Sequence, residues 1–385
     1  MSLRILVFAL YLVFNVQDCF SQQISVLTCG KGEEIYSTFG HSAIRVLDTA
    51  TKTDVVYNYG MFEFSDPNFI PKFINGKLDY MLGKETFENF IFQYELSRRS
   101  VSEQVLNLTP TQKQKLLTFL EWNVKEENKY YRYDFLYDNC ATKIIQVLEK
   151  NCPGIKINFY KEEKPKSFRQ LIHHYAKNSV PFIDWGMDLG IGVRTDKIAT
   201  EREYCFLPDY VAKSLDLSKN NEINQNLVIL SQPILNGSAS KEISFFENTP
   251  LILGWVLLFL SFGFAHTDSL PSKIYNTSIF ILAGLGGVLL GYEWFFTEHS
   301  VTKFNFNILW LNPLFLVYAF VWNRPSKLQL QLRKFLRTSI FLVLIVHFFT
   351  GQNFHFASVL MMIALFVHLK SIHIFSNSRS FIIRS

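Results

Sequence analysis

The sequence predicts an α+β domain followed by an all-α membrane domain of five helices. Strand-like alternation and helix-like periodicity interleave between Gln22 and Asp216. Five apolar stretches follow Pro250. Hydrophobic residues reach 49% and charged residues only 18%, with 38 phenylalanines. That is too apolar for an ordinary soluble protein, and the excess lies after Thr249.

The chain opens MSLRILVFALYLVFNVQDCFSQQ, with an early cation at Arg4, an apolar run from Ile5 to Val16, and Cys19-Phe20-Ser21 as small-x-small. This reads as a secretory signal peptide over 1–21, cut after Ser21, with an uncleaved anchor as the alternative. Export leaves Cys29, Cys140, Cys152 and Cys205 in a compartment that permits disulfides. If Cys140 is kept free, the other three form at most one pair.

Within the expected outer domain, 22–218, Gly30 and Gly32 mark a turn. His41 starts a strand in which Ile44 and Val46 face one way and His41, Ala43 and Arg45 the other. Asp54–Phe64 is a second strand, joined to the first as a hairpin. Phe69–Phe92 reads as irregular, broken at Gly76 and Gly83, and Ile91–Val105 as a strand. Thr109–Asn128 is a helix with Thr109 as cap, Pro110 at its first position and Gln112 completing a capping box. Ile144, Ile145 and Leu148 recur at helical spacing after Asp138-Asn139, two good N-cap residues. Ser167–Lys177 is a further helix, Trp185–Thr200 a Gly-rich loop, and Cys205–Leu217 a docking helix. Residues 219–249 read as a linker holding one strand.

The membrane domain, 250–375, has spans near Pro250–Ala265, Asn276–Phe296, Phe306–Trp322, Arg337–Thr350 and Ala357–Phe375, with a tail at 376–385. With the outer domain outside, Arg324, Lys327, Arg333, Lys334 and Arg337 fall on the cytoplasmic side, and so does the tail with Arg379 and Arg384.

Cys140 sits at a helix N-terminus, where the positive end of the dipole favours thiolate, the attacking form of cysteine. It reads equally as a small buried hydrophobe or half of a disulfide. A nucleophile needs a base and oxyanion donors. His41, at a strand start between Gly40 and Ser42, is the candidate base; His173-His174 lies on an ordinary polar helix. Asn58 is the candidate to orient His41, by analogy with Cys-His-Asn sites, with a sheet-edge amide as the alternative. Tyr133 and the backbone N–H of Cys140 are placed to face an oxyanion. Glu298, His299, Asn305 and Asn307 cluster in the loop between the second and third spans and are candidates for substrate binding; headgroup contact is the plain alternative. A net charge of +5 with no arginine-rich patch excludes a nucleic-acid partner. No heptad, GxGxxG, P-loop, metal-finger spacing or repeat appears, so no cofactor or metal is expected.

The order of a histidine strand followed by an Asn-Cys helix resembles circularly permuted papain-like folds of the NlpC type. More closely, five motifs resemble the Lnb-type bacterial lipoprotein N-acyltransferases: Tyr36–Arg45 (YSTFGHSAIR), Tyr57–Gly60 (YNYG), Asp138–Thr142 (DNCAT), Phe206–Tyr210 (FLPDY) and Glu298–Pro313 (EHSVT…NFN…WLNP). The resemblance implies an inner-membrane enzyme with its catalytic domain in the periplasm. It would move an acyl chain from a phospholipid, through a thioester, to the N-terminal amine of a lipoprotein. A membrane-anchored papain-like peptidase or amidase acting on cell-wall peptides keeps the same dyad, and a non-enzymatic sensor or scaffold would hold Cys140 in a disulfide. The topology predicts that a reporter active only in the periplasm, fused at Ser385, gives no signal; a strong signal would overturn the span assignment.

Overall fold

The computed structural model describes residues 22–32, 34, 37–63, 65–176, 181–237, 248–265 and 267–370. The expected signal peptide, the junction 238–247, Tyr36 and the cytoplasmic tail lie outside them. In chain order the elements are β1 (Gln22–Cys29), β2 (His41–Asp48), β3 (Thr53–Met61), α1 (Phe69–Ile74), β4 (Asp79–Thr86), α2 (Phe87–Leu96) and β5 (Val101–Leu106). Next come α3 (Pro110–Asn123), β6 (Tyr130–Arg132), α4 (Cys140–Asn151), β7 (Ile155–Lys156), α5 (Phe168–Ala176) and α6 (Pro181–Gly190). The last are α7 (Pro208–Asp216), β8 (Lys219–Asn220), β9 (Gln225–Asn226), β10 (Val228–Leu235), α8 (Thr249–Phe264), α9 (Leu270–Phe295), α10 (Leu314–Val321), α11 (Lys327–Thr350) and α12 (Phe356–Lys370). They fall into two compact units, one of residues up to 166 with 199–240, the other of 167–198 with residues from 241 onward.

The first unit is a mixed α+β domain around a seven-stranded sheet of order β10-β5-β1-β2-β3-β4-β6, antiparallel throughout. Alternation along each strand feeds two cores. Ile24, Val26, Ile44, Val46, Tyr57 and Tyr59 pack against Leu116 and Leu120 of α3, Ile144 and Leu148 of α4, and Leu215 of α7. Leu27, Ala43, Val56 and Val101 point to the other face and pack on Phe90 and Tyr94 of α2. The sheet is therefore covered on both sides, and His41 and Arg45 share a buried face with Ala43 rather than a solvent face. Arg45 ties three strands together: its guanidinium donates to both Asp54 oxygens on β3, at 2.8 and 2.7 Å, and to Glu103 on β5 at 3.0 Å.

The sheet hairpin β2–β3 and helix α3 stand where the periodicity puts them, with the Thr109–Gln112 capping box formed. Other elements differ. The aromatic stretch read as irregular holds α1, β4 and α2, and the strand expected over Ile91–Val105 is confined to β5 because Phe87–Leu96 is helical. The Gly-rich loop expected from Trp185 begins inside α6, which runs to Gly190. The expected linker holds three strands rather than one: β8 and β9 form a small sheet with β7, and β10 pairs with β5 and completes the edge of the main sheet.

Among the described residues, helices α8 to α12 of the second unit stand at the five apolar stretches. α9, with 26 residues, is long and apolar enough to cross a bilayer by itself. α8 and α12 are shorter apolar helices, and α10 begins only at Leu314 because Phe306–Leu309 forms a 3-10 turn. Phe280, Phe315, Tyr318, Trp322 and Ile340 form the core between them.

The expected continuous domain over 22–218 is interrupted, because 167–198 packs into the second unit. Buried charge holds it there. Arg169 donates to Asp188 at 2.7 Å, to Asp196 at 3.0 Å, and to the carbonyls of Ile191 and Gly192. His173 is not a solvated helix residue: Nδ1 meets Asp184 at 2.5 Å and Nε2 meets Asp188 at 2.9 Å. The same carboxylates reach the loop before α12, where the His355 N–H donates to Asp188 and the Asn353 amide to Asp196. Burial pushes the His173 imidazole down, but hydrogen bonds to Asp184 and Asp188 and their charges outweigh it and raise the group to about 9. A folded value above the ordinary 6.5 means that the stabilisation is complete below pH 6.5 and is lost as pH rises through about 9. The thermal midpoint of the full chain in detergent should fall across that window, and His173→Gln should flatten the dependence. Arg169→Met strands two buried carboxylates and should cost roughly 3–5 kcal/mol.

Candidate active site

The site is built from the N-terminus of α4. Asn139 is the N-cap: its Oδ1 accepts from the N–H groups of Ala141 and Thr142, both at 2.9 Å, and the Thr142 hydroxyl accepts from the Asn139 N–H at 2.8 Å. Its Nδ2 donates to the Phe135 and Phe206 carbonyls at 2.9 and 2.8 Å. The cap is thus tied to the preceding aromatic loop and to the turn before α7. Ile144, Ile145 and Leu148 anchor the helix in the core, each contributing about 2 kcal/mol by burial. Cys140 is the first residue of the helix.

His41 is the first residue of β2, opposite Cys29 on β1. Gly40 delivers it: φ is +78°, and a Cβ there would stand 2.6 Å from the Cys29 carbonyl oxygen, so only glycine fits. His41 Nε2 lies 2.5 Å from Asn58 Oδ1, and Asn58 Nδ2 donates to Glu85 on β4 at 3.3 Å. The second bond orients the amide, so Oδ1 faces the histidine and Nε2 carries the proton. Gln93 on α2 in turn donates to Glu85 at 3.1 Å. Nδ1 is the ring nitrogen that Asn58 leaves for the thiol.

The electrostatics separate Cys140 from the other thiols. Burial pushes it up, but the His41 charge and hydrogen bond, with N–H groups of Ser42 and Ala141, outweigh burial and bring it below the ordinary thiol value. Burial likewise pushes His41 down, and the Cys140 charge with hydrogen bonds to Cys140 and Asn58 reverses it, so His41 is raised. Each group's charged form is therefore favoured by the charge of the other. Cys29, Cys152 and Cys205 are free and buried. Burial pushes them to about 12, 12 and 11. No disulfide forms among these cysteines, so the disulfide a scaffold would place on Cys140 is absent and no pairing joins the other three.

Beside the thiol, Gly60 has φ +89°, and a Cβ built on it would stand 3.5 Å from Cys140 Cβ, 4.0 Å from Tyr131 Oη and 4.0 Å from Tyr133 Cε2. Gly60 is thus packed closely beside Cys140 and the two phenols. Tyr133 stacks on Tyr80 at 4.2 Å. The Tyr131 hydroxyl is buried and makes no hydrogen bond. Burial first, then the charge of Cys140, pushes both phenols well above their ordinary range, so both stay protonated and able to donate.

Cys140, His41, Asn58 and Tyr133, named from sequence, are thus brought together in the first unit. Sequence reasoning missed Glu85, which lay in a stretch read as irregular, and Tyr131, one of several tyrosines in an aromatic run. Glu298, His299, Asn305 and Asn307 belong to the second unit. Glu298 is exposed and His299 half-buried. Asn305 and Asn307 are buried with committed amides. Asn305 donates to the Leu189 and Gly190 carbonyls at 2.6 and 3.0 Å, and Asn307 donates to Leu189 at 3.2 Å and accepts from the Trp310 indole at 2.8 Å. They hold the 181–192 segment. Among the described residues no cluster with metal-ligand character occurs.

Two family models match the chain. One, described as the Lnb N-terminal periplasmic domain, covers residues 18–174, and the other, the Lnb transmembrane domain, covers 240–380. No curated protein and no solved structure matches.

Iodoacetamide at neutral pH should modify Cys140 alone in the folded protein, since the other thiols are buried and protonated. The pH midpoint of that reaction should lie below 9.0 and move upward in His41→Ala. Mass spectrometry of the alkylated peptides checks both.

Proposed function

This chain belongs to the Lnb family, and on that premise we propose that it is a membrane-bound cysteine acyltransferase that carries an acyl chain from phospholipid to the N-terminal amine of lipoproteins. The observation that carries the reading is the pairing, among the described thiols, of the one with a lowered pKa with an imidazole oriented by Asn58, with two protonated phenols beside them. A histidine strand followed by a cysteine-first helix in one antiparallel sheet favours a permuted papain-like domain. Helices α8 to α12 of the second unit are assigned as spans of the inner membrane.

In the first half-reaction the Cys140 thiolate attacks the ester carbonyl carbon. A C–S bond forms and the carbonyl electron pair moves to oxygen, where the Tyr131 and Tyr133 hydroxyls and backbone N–H groups donate. Collapse breaks the ester C–O bond, and His41 gives its proton to the departing alcohol, leaving lysophospholipid and a thioester. In the second, the lipoprotein amine attacks the thioester, His41 takes its proton, the C–N bond forms, and thiolate leaves. Asn58, held by Glu85, keeps the imidazole in one tautomer. Glu298 and His299 are assigned to substrate contact, with Asn305 and Asn307 fixing the loop that carries them.

Purified protein incubated with phospholipid and no acceptor should accumulate a hydroxylamine-labile acyl group on Cys140. Cys140→Ser should fold and yield neither adduct nor product. Tyr131→Phe should slow adduct formation by about 100-fold or more, the loss expected for one oxyanion donor. If no adduct forms while a cell-wall peptide is cut, the peptidase reading replaces this one.

A further inference from the structure

Helix α1 is unusual for a surface element. It reads FIPKFI, none of its residues is buried, and its apolar side chains meet solvent: Ile70 is 61% exposed, Phe73 50% and Ile74 41%. Met61, at the end of β3, adds a further 37%. A helix that contributes nothing to the core of its own domain, yet carries four large apolar side chains in six residues, is not explained by folding.

The patch is joined to the catalytic cysteine by a ladder of rings. Phe73 stacks on Phe69 at 6.0 Å, Phe69 meets Phe62 at 5.5 Å, and Phe62 meets Tyr80 edge-on at 5.5 Å. Tyr80 stacks on Tyr133 at 4.2 Å, and Tyr133 and Cys140 both flank Gly60. A row of ring contacts therefore leads from the exposed helix to the neighbourhood of Cys140. Lys72 stands on the same helix, paired with Asp66 at 2.7 Å. Its long stem suits a position at phosphate depth with the apolar neighbours below it. The match to a transmembrane domain anchors this chain to a bilayer, so a lipid surface is always at hand.

We propose that α1 and Met61 insert into the hydrocarbon edge of the phospholipid bilayer, and that the aromatic ladder guides a lipid acyl chain to Cys140. This rests on the acyltransferase reading for its purpose, but the insertion is tested apart from it. A short amphipathic element of this kind is held by the apolar area it buries in the interface.

The test uses the full chain in vesicles of phosphatidylethanolamine and phosphatidylglycerol. In a Cys140→Ser background the other described cysteines are buried, so Ile70→Cys can carry an environment-sensitive bimane label. Leu96→Cys, on a different helix and 77% exposed, is the control. Doping the vesicles with brominated phospholipid should quench the label at position 70 several-fold more than the label at 96. Equal quenching overturns the proposal. In protein with Cys140 intact, Phe73→Asp should lower the rate of adduct formation from phospholipid, relative to that from a water-soluble short-chain acyl thioester, at least tenfold; an unchanged ratio overturns the guiding role. If the label is quenched but wild-type protein takes acyl groups from neither donor, insertion stands and the acyltransferase reading falls.

Discussion

A cysteine at a helix start can act as a nucleophile only if that helix end does not fray, and here one amide prevents it. Asn139 is 3% exposed and uses both ends of its side chain. Oδ1 satisfies two orphan N–H groups of α4, and Nδ2 pins the preceding loop and the Phe206 turn. The same residue therefore fixes the helix, the approach of the aromatic run and the docking of α7. Removing such a cap costs about 1 kcal/mol in an ordinary helix. Here it would also leave two buried carbonyls unpaired, and the direction of Cys140 would be lost with them.

Four thiols in one domain show that burial alone does not make a nucleophile. Burial raises all four. At Cys140 it is overcome because a cation, His41, and two backbone N–H groups converge on the sulfur. The imidazolium is itself sustained by the thiolate and by Asn58, so each charge is the reason for the other. Glu85 and Gln93 extend this chain into α2 without touching the thiol. Their contribution is to choose which end of the Asn58 amide faces the ring.

What could be read from sequence follows how local the cause is. The α4 cap, the α3 capping box and the β2–β3 hairpin depend on residues a few positions apart, and each stands as expected. Elements whose character depends on distant partners were hidden. β1 carries no turn signal of its own on its N-terminal side, although it lies centrally between β2 and β5. β10 buries none of its residues because it is an edge strand, so the stretch reads as a linker with one strand while its place in the main sheet is hidden. Gly83 reads as a break in β4, but packs beside Met61 across the pair with β3. At the site, Cys140 and His41 were visible through the cap and the alternation. The Tyr131 hydroxyl could not be separated from its neighbours, because its distinction is the absence of a partner in three dimensions.

The excursion 167–198 has a physical logic of the same kind. Backbone outside regular helices beside a membrane domain must find internal hydrogen-bond partners, because lipid offers none. The second unit supplies them by cross-linking its irregular segments. Gly192 and Val193 donate to the Val301 and Phe304 carbonyls, Asn305 and Asn307 satisfy the end of α6, and Gln352 joins Phe306 to the loop before α12. Buried Arg169 and half-buried His173 then balance Asp184, Asp188 and Asp196, which would be costly to bury alone. A segment that lies between two parts of the first unit in sequence is thereby made part of the second. The polar residues of 298–307 divide in consequence: Asn305 and Asn307 are consumed in holding this scaffold, while Glu298 remains exposed at its edge.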